Sequence, residues 1–267
     1  MSESLRRSRK PRQGRELVCE TVFRPLAHVL VVPLARVGTP PPLVAVGSAC
    51  AGLAAALQLA SGRLLLAAVL LQLKTVLDNA DGQLARLTGR VTALGRYLDS
   101  ELDLLVNGAL FAGLAWWTGD VLAAIAGFVA LTAVLSVNFN LERLYRVERQ
   151  GRIAVPDEGG RATAAARRAY GLLYGWQDRL VEGLVEGRLR GRRRPDRLTY
   201  HDPAAVAVLA NLGLSTQLAV FGALLALGRP LAFVWLLCAE LVVVAGLGLR
   251  REALLRGSPS SRQEVAS

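Results

Sequence analysis

Apolar runs of membrane-spanning length recur along this chain and restrict its fold more than any other feature. A helix needs about 20 residues to cross the hydrocarbon core of a bilayer. Six runs reach or approach that length, at residues 43–60, 64–77, 98–117, 121–137, 204–227 and 231–249. The chain is 52% hydrophobic and 20% charged, and most of the charge lies between these runs. We predict an all-α integral membrane protein with six transmembrane helices.

The basic residues are placed very unevenly between the two sides of such a protein. Of the 32 Lys and Arg residues, only Arg63 and Arg229 lie in the loops of one side. The positive-inside rule therefore predicts that both termini and the other loops face the cytoplasm, in a multi-pass protein of a bacterial cell membrane. Topology and anionic headgroups account for the net charge of +11, so we predict no nucleic-acid partner.

The runs divide the chain into five segments. The sequence predicts a juxtamembrane amphipathic helix from Arg15 to Arg36, broken near Pro25 and Pro33 and lying in the membrane interface. Between helices four and five it predicts a cytoplasmic insert with one helix from Arg161 to about Val185. This helix is either a membrane-surface helix with basic anchors or has an acceptor-binding or lid role. The segments are 1–37 (basic tail and amphipathic helix), 38–140 (helices one to four), 141–203 (basic insert), 204–250 (helices five and six) and 251–267 (disordered tail).

Four aspartates lie at the adjoining ends of the second and third runs. Asp78 and Asp81 are three residues apart, and Asp99 and Asp103 are four apart, so each pair lies on one helix face. Carboxylates inside a membrane segment indicate a functional site. Their convergence predicts one or two divalent cations, with magnesium, manganese or calcium favoured over zinc. Lys74, one turn before Asp78, is interpreted as a counter-ion or snorkelling lysine first and as a substrate contact second.

The spacing of this stretch resembles the signature of the CDP-alcohol phosphotransferase family, which are integral membrane enzymes of phospholipid synthesis. Read as Asp78-x2-Asp81-Gly82-x2-Ala85-Arg86-x8-Gly95-x3-Asp99-x3-Asp103, it matches all eight fixed positions. The resemblance covers residues 38–140, is weaker for the last two helices and is absent from the insert. Members of the family often carry a Pro-Asn pair at the entry to the first span. Residues 38–42 (GTPPP) contain no Asn, so any hydrogen bond that such an Asn would make is lost.

The resemblance implies an activity and a set of roles. Enzymes of this family displace CMP from a CDP-linked lipid, usually CDP-diacylglycerol, by attack of an alcohol hydroxyl. Family members are commonly homodimers, and the metal would be Mg²⁺ or Mn²⁺. Asp103 would also reach the metal and is the candidate general base. The other implied roles are metal binding by Asp78, Asp81 and Asp99, and CDP binding by Asp78, Asp81, Gly82, Ala85, Arg86, Gly95 and Asp99.

The acceptor alcohol is less closely defined. Four arginines near the motif and the end of helix four suit a phosphorylated acceptor, since guanidinium binds phosphate bidentately; they are Arg90, Arg96, Arg143 and Arg146. The competing interpretation is that they are positive-inside charges alone. A phosphorylated polyol such as glycerol phosphate or inositol phosphate is the first choice, and inositol, serine or an amino alcohol are the alternatives.

Two other classes of protein are alternatives to an enzyme. A cation transporter would need a second polar relay toward the outer face, and the first, third and fourth helices offer little beyond Asn107. A non-catalytic lipid-binding subunit would be favoured by loss of a motif aspartate, and all four are present. We therefore predict an enzyme.

Overall fold

The computed structural model describes residues 14–151 and 159–257, and all their regular secondary structure is helical. The basic tail before residue 14 and the tail after residue 257, for which the sequence predicts disorder, lie outside the described residues. A π-helical segment, Cys19–Phe23, precedes eleven α-helices in the described ranges. These are α1 (Arg24–Arg36), α2 (Pro41–Ala60), α3 (Leu64–Leu87), α4 (Ala93–Thr118), α5 (Val121–Gln150), α6 (Arg161–Leu173), α7 (Gly175–Leu189), α8 (Arg194–Tyr200), α9 (Pro203–Ala210), α10 (Leu214–Ala226) and α11 (Leu231–Arg256).

Four stretches of the described chain are long and apolar enough to cross a membrane. They are Pro41–Ala60, Val121–Arg149, Arg194–Ala226 and Leu231–Arg256. Helices α3 and α4 have 24 and 26 residues, which is sufficient length, but both carry the charged motif. The all-helical membrane class is therefore supported, while the count of six spans stays a prediction.

The N-terminal helix differs from the sequence prediction. The chain is helical through Pro25 and Pro33, with no break at either. The wider π-helical turn directly before Pro25 relieves the clash of a proline ring with the preceding turn. Ala27 and Val31 of α1 are fully buried in a cluster with residues of α3. One face of this helix therefore packs on the motif helix rather than on lipid.

The chain from α5 to α10 also differs from the prediction. Helix α5 continues to Gln150, beyond the predicted segment boundary at residue 140. The expected single helix of the insert is two helices, because the chain bends at Tyr174 before Gly175, and glycine has a low helix propensity. The fifth run is likewise two helices, α9 and α10, separated at residues 211–213.

Stacked aromatic rings occupy the centre of the main hydrophobic core. Phe221 of α10 and Phe233 of α11 stack with their ring centroids 4.5 Å apart. The ring centroid of Phe111 of α4 lies 6.3 Å from that of Phe221 and 6.2 Å from that of Phe233. All three side chains are at least 96% buried. This core fixes α4, which carries two of the motif aspartates, against the last two helices.

Helices α2 and α4 approach closely at Gly113. A Cβ atom at this position would lie 2.7 Å from the backbone oxygen of Ala56, so the helices would have to move apart. We expect Gly113→Ala to lower the free energy of unfolding by about 1–3 kcal/mol, measured by thermal unfolding in detergent. Gly108→Ala is the matched control on the same helix, since its nearest contact is at 4.0 Å. Equal melting temperatures for the two variants would contradict this close approach.

Candidate active site

Three of the four motif aspartates converge between α3 and α4. Asp78, Asp99 and Asp103 each offer a carboxylate oxygen, and these oxygens all lie within 4.8 Å of one another. Asp99 and Asp103 are one helical turn apart, so both point from α4 toward the same side. The loop at residues 88–92 returns the chain so that this side of α4 faces Asp78. Carboxylate oxygens at this separation form a donor set that suits a hard divalent cation.

A buried lysine compensates part of this negative charge. Lys74 is only 1% exposed; its Nζ donates to Asp78 Oδ1 at 2.9 Å and also to Asp103. The counter-ion interpretation of Lys74 thus agrees with the structure. Ser48 of α2 donates to the Lys74 backbone oxygen at 3.0 Å. Helices α2, α3 and α4 together line the small cleft at this point.

Asp81 is not part of the three-carboxylate group. It is 8% exposed and lies on α3, three residues after Asp78. Three residues correspond to about 300° of helical rotation, which turns Asp81 about 60° away from Asp78. Its predicted role as a metal ligand stays a prediction.

The small residues of the motif have different surroundings. A Cβ atom on Gly82 would lie 3.2 Å from Arg86 Nη1, so the Arg86 guanidinium lies over the face that Gly82 leaves open. Gly95 donates its N–H to the Thr92 hydroxyl, the N-cap of α4, at 2.9 Å, and a Cβ there would be 3.0 Å from the same oxygen. Ala85 is half-buried on the same helix as Arg86. Gly95 therefore has a structural use in the cap besides its predicted role in CDP binding.

The four candidate acceptor arginines fall into two kinds. Arg90 and Arg96 are exposed near the motif loop. Arg143 donates to Asn140 at 2.9 Å and pairs with Glu182 of α7 at 2.7 Å. Arg146 lies 3.8 Å from Glu142. Within the described ranges, the buried Nε atoms of Arg143 and Arg146 have no hydrogen-bond partner, although Arg146 Nε forms the ion pair with Glu142.

Asn79, inside the motif, has a role that the sequence reasoning missed. Its Oδ1 accepts from Cys19 Sγ at 3.0 Å, and its Nδ2 donates to Ser215 Oγ at 3.2 Å. Asn79 therefore joins α3 to the N-terminal π-helical segment and to α10, and it fixes the rotation of Asp78 about the α3 axis. A polar residue between two motif aspartates was the one available signal.

Comparison with known proteins agrees with this geometry. The family model for CDP-alcohol phosphatidyltransferase matches residues 39–184, which is more than half of the chain and includes every motif residue. No solved structure gave a significant match.

Several curated proteins are similar over part of their length. A phosphatidylinositol phosphate synthase of Mycobacteroides abscessus is 34% identical over 102 residues, which is 38% of this chain and 46% of that protein. An archaetidylinositol phosphate synthase of Methanothermobacter thermautotrophicus is 33% identical over 118 residues, 44% of this chain and 60% of that protein. A bifunctional IPC transferase and DIPP synthase of Rubrobacter xylanophilus is 39% identical over 85 residues, 32% of this chain and 20% of that protein. The matches thus span less than two thirds of these relatives.

Proposed function

The chain belongs to the CDP-alcohol phosphatidyltransferase family, and on this basis we propose that it transfers a phosphatidyl group from CDP-diacylglycerol, or a related CDP-lipid, to the hydroxyl of a phosphorylated polyol. CMP is the second product. The observation that carries the proposal is the convergence of Asp78, Asp99 and Asp103 within 4.8 Å. Gly82 and Arg86 follow Asp78 about one and two turns later on the same helix. A diphosphate bound there would meet both a cation site and a guanidinium group.

The carboxylates would hold one or two Mg²⁺ or Mn²⁺ ions. One feature of the site fits a metal: its donor atoms are hard oxygens, and those of Asp78, Asp99 and Asp103 lie within 4.8 Å of one another. When bound, the metal would hold the diphosphate and stabilise the charge that develops at phosphorus. Asp81 would complete the ligand set from the next turn of α3.

Asp103 is the proposed general base. The acceptor hydroxyl oxygen attacks the phosphorus that carries the diacylglycerol, and a new P–O bond forms. The bond from this phosphorus to the bridging oxygen of the diphosphate breaks, and CMP leaves with that oxygen. The hydroxyl proton passes to the Asp103 carboxylate. Arg86, over Gly82, would balance the charge on the departing CMP.

A phosphorylated polyol is the acceptor that the surroundings favour. Two of the similar proteins are named as synthases of phosphatidylinositol phosphate and archaetidylinositol phosphate. In this chain, Arg143 and Arg146 lie about one turn apart on α5, and Arg96 is exposed beside the motif. Guanidinium groups bind phosphate bidentately, so a cluster of arginines suits a phosphorylated acceptor. Arg90 would assist at the motif loop.

The setting of the reaction is also part of the proposal. We place the site and both termini on the cytoplasmic side of a bacterial cell membrane, with six spans and a homodimeric assembly. The distribution of Arg residues supports the orientation, and the lengths of α3 and α4 support two spans besides the four apolar stretches.

An acceptor panel tests the proposal. Purified protein in detergent is given CDP-diacylglycerol and Mg²⁺ or Mn²⁺, and CMP release is measured with glycerol phosphate, inositol phosphate, inositol, serine or no acceptor. We expect release with a phosphorylated polyol, loss of release with EDTA, and recovery when the metal is restored. Release with inositol or serine alone would overturn the acceptor class. Metal-independent release would overturn the role of the aspartates.

A further inference from the structure

Three tyrosines from different elements meet above the first turns of α4. The ring of Tyr170 lies 5.3 Å from that of Tyr97 and 5.1 Å from that of Tyr174. Tyr97 belongs to α4, whereas Tyr170 and Tyr174 come from the insert, at the bend between α6 and α7. The bend thus brings the insert onto the motif helix. The proposed reaction assigns no role to these three rings.

Tyr174 borders the carboxylate group. Its hydroxyl donates to the Ser100 backbone oxygen at 2.9 Å, and Ser100 lies between Asp99 and Asp103. Burial raises the pKa of Tyr174, and the negative charge of Asp103 raises it further. The hydroxyl is therefore a neutral donor at physiological pH, and its hydrogen bond joins Tyr174 to the turn of α4 that carries Asp99 and Asp103.

Tyr170 borders the arginine side. Its hydroxyl donates to Asp178 at 3.3 Å, and the same carboxylate accepts from Asn140 at 2.9 Å. Burial first and Asp178 second raise the pKa of Tyr170 to about 12, while the charges of Arg143 and Arg96 act in the opposite direction. Asn140 in turn accepts from Arg143 at 2.9 Å, so a chain of hydrogen bonds links Tyr170 to Arg143.

We propose that Tyr170 and Tyr174 form the wall of the acceptor subsite, so that the insert selects which alcohol reacts. The proposal rests on the proposed function. Tyr174 is bonded to the turn of α4 that ends at Asp103, and Tyr170 is linked through Asp178 and Asn140 to Arg143. An acceptor that extends from Asp103 to Arg143 would therefore lie along these rings. The C–H faces of a polyol pack well on aromatic rings, and the few polar groups around them fix the orientation.

The second anchor of the insert keeps this wall in place. Glu182 of α7 pairs with Arg143 at 2.7 Å, and Val185 and Leu189 are buried with Leu141 of α5. The opposite side of α7 is exposed, with Trp176 at 56%. Substitutions on the two sides can therefore separate an effect on the subsite from an effect on the insert as a whole.

Steady-state kinetics tests the proposed wall with variants that remove the aromatic ring and variants that keep it. The variants are Tyr170→Ala, Tyr174→Ala and their Phe counterparts, with Trp176→Ala as the control on the exposed side of the insert. We expect each Tyr→Ala variant to raise the KM for the acceptor at least about tenfold, while the KM for CDP-diacylglycerol stays within about twofold. The Phe variants keep the ring and should restore the acceptor KM to within about threefold. Trp176→Ala should leave both constants unchanged.

Two results would overturn the wall. An unchanged acceptor KM in both Ala variants excludes contact with the acceptor. Equal changes in both KM values, without rescue by Phe, assign the tyrosines a merely structural role. The wild-type protein in the same experiment separates the two proposals: if it releases no CMP with any acceptor, the proposed function fails together with the wall, whereas normal wild-type kinetics with unaffected variants removes only the wall.

Discussion

Asp103→Asn is expected to lower CMP release at least about a hundredfold. An amide cannot take up the proton of the attacking hydroxyl, and loss of a positioned general base typically costs two to four orders of magnitude in rate. The substitution also removes one negative charge from a group whose oxygens lie within 4.8 Å, which weakens metal binding. Because asparagine has the same size as aspartate, the packing of α4 should be kept. Initial rates at saturating acceptor, with purified protein, measure the effect.

Asp120→Asn is the matched control for this substitution. Asp120 caps α5 by accepting from the Ala123 N–H at 2.9 Å, and asparagine caps helices about as well as aspartate. It is also exposed and lies at the opposite end of α4 from the motif. The control should keep the wild-type rate. A rate for Asp103→Asn within a few-fold of wild type would show that Asp103 is neither base nor necessary ligand.

Lys74→Met is expected to be the most destabilising single substitution at the site. Removing one partner of a buried ion pair leaves uncompensated charge and typically costs about 3–5 kcal/mol. Lys74 is 1% exposed and is paired with both Asp78 and Asp103. The metal-free variant should therefore melt well below the wild-type protein. Mn²⁺ should raise its melting temperature by more than it raises that of the wild type, because the ion replaces the missing positive charge.

Arg63→Met serves as the control for loss of one positive charge. Arg63 is exposed and precedes α3 at the end away from the motif, so its removal should change the melting temperature little. The melting temperatures of the wild type, Lys74→Met and Arg63→Met are measured by thermal unfolding in detergent, once with EDTA and once with Mn²⁺. If Lys74→Met melts with the wild type in EDTA, the lysine does not compensate the carboxylates.

The sequence predicted the core of the site because its geometry is local. The spacing of Asp99 and Asp103 places them on one face of a helix whatever surrounds it, and a short loop returns the chain to Asp78. The position of Lys74 one turn before Asp78 predicts a counter-ion. Its hydrogen bonds to Asp78 and Asp103 agree with this prediction. Asp81 lies about 60° around α3 from Asp78, and the three-carboxylate group does not include it.

The parts that the sequence did not predict depend on distant contacts. The break between α9 and α10 occurs where Asn211 accepts from Leu17 N–H at 2.9 Å and donates to the Arg15 backbone oxygen at 3.0 Å. These partners are 194 and 196 residues away in the chain, and no periodicity within an apolar run reveals them.

The insert differs from its prediction in the continuity of its helix. Helical spacing predicts one face that carries Tyr170, Leu173, Trp176, Leu180 and Leu184, but the bend at Tyr174 divides the helix in two. Tyr170 contacts Tyr97 of α4, whereas the other four side chains are exposed. A local period holds only as long as the helix is continuous.

The most direct test of the account is the identity of the lipid that the protein makes. Purified protein is incubated with CDP-diacylglycerol, Mg²⁺ and inositol phosphate or glycerol phosphate, and CMP and lipids are quantified by mass spectrometry. The account predicts a phosphatidyl ester of one phosphorylated polyol in a one-to-one ratio with CMP. CMP without a new phosphatidyl ester, or neither product although CDP-lipid binds, would contradict phosphatidyl transfer at the aspartates.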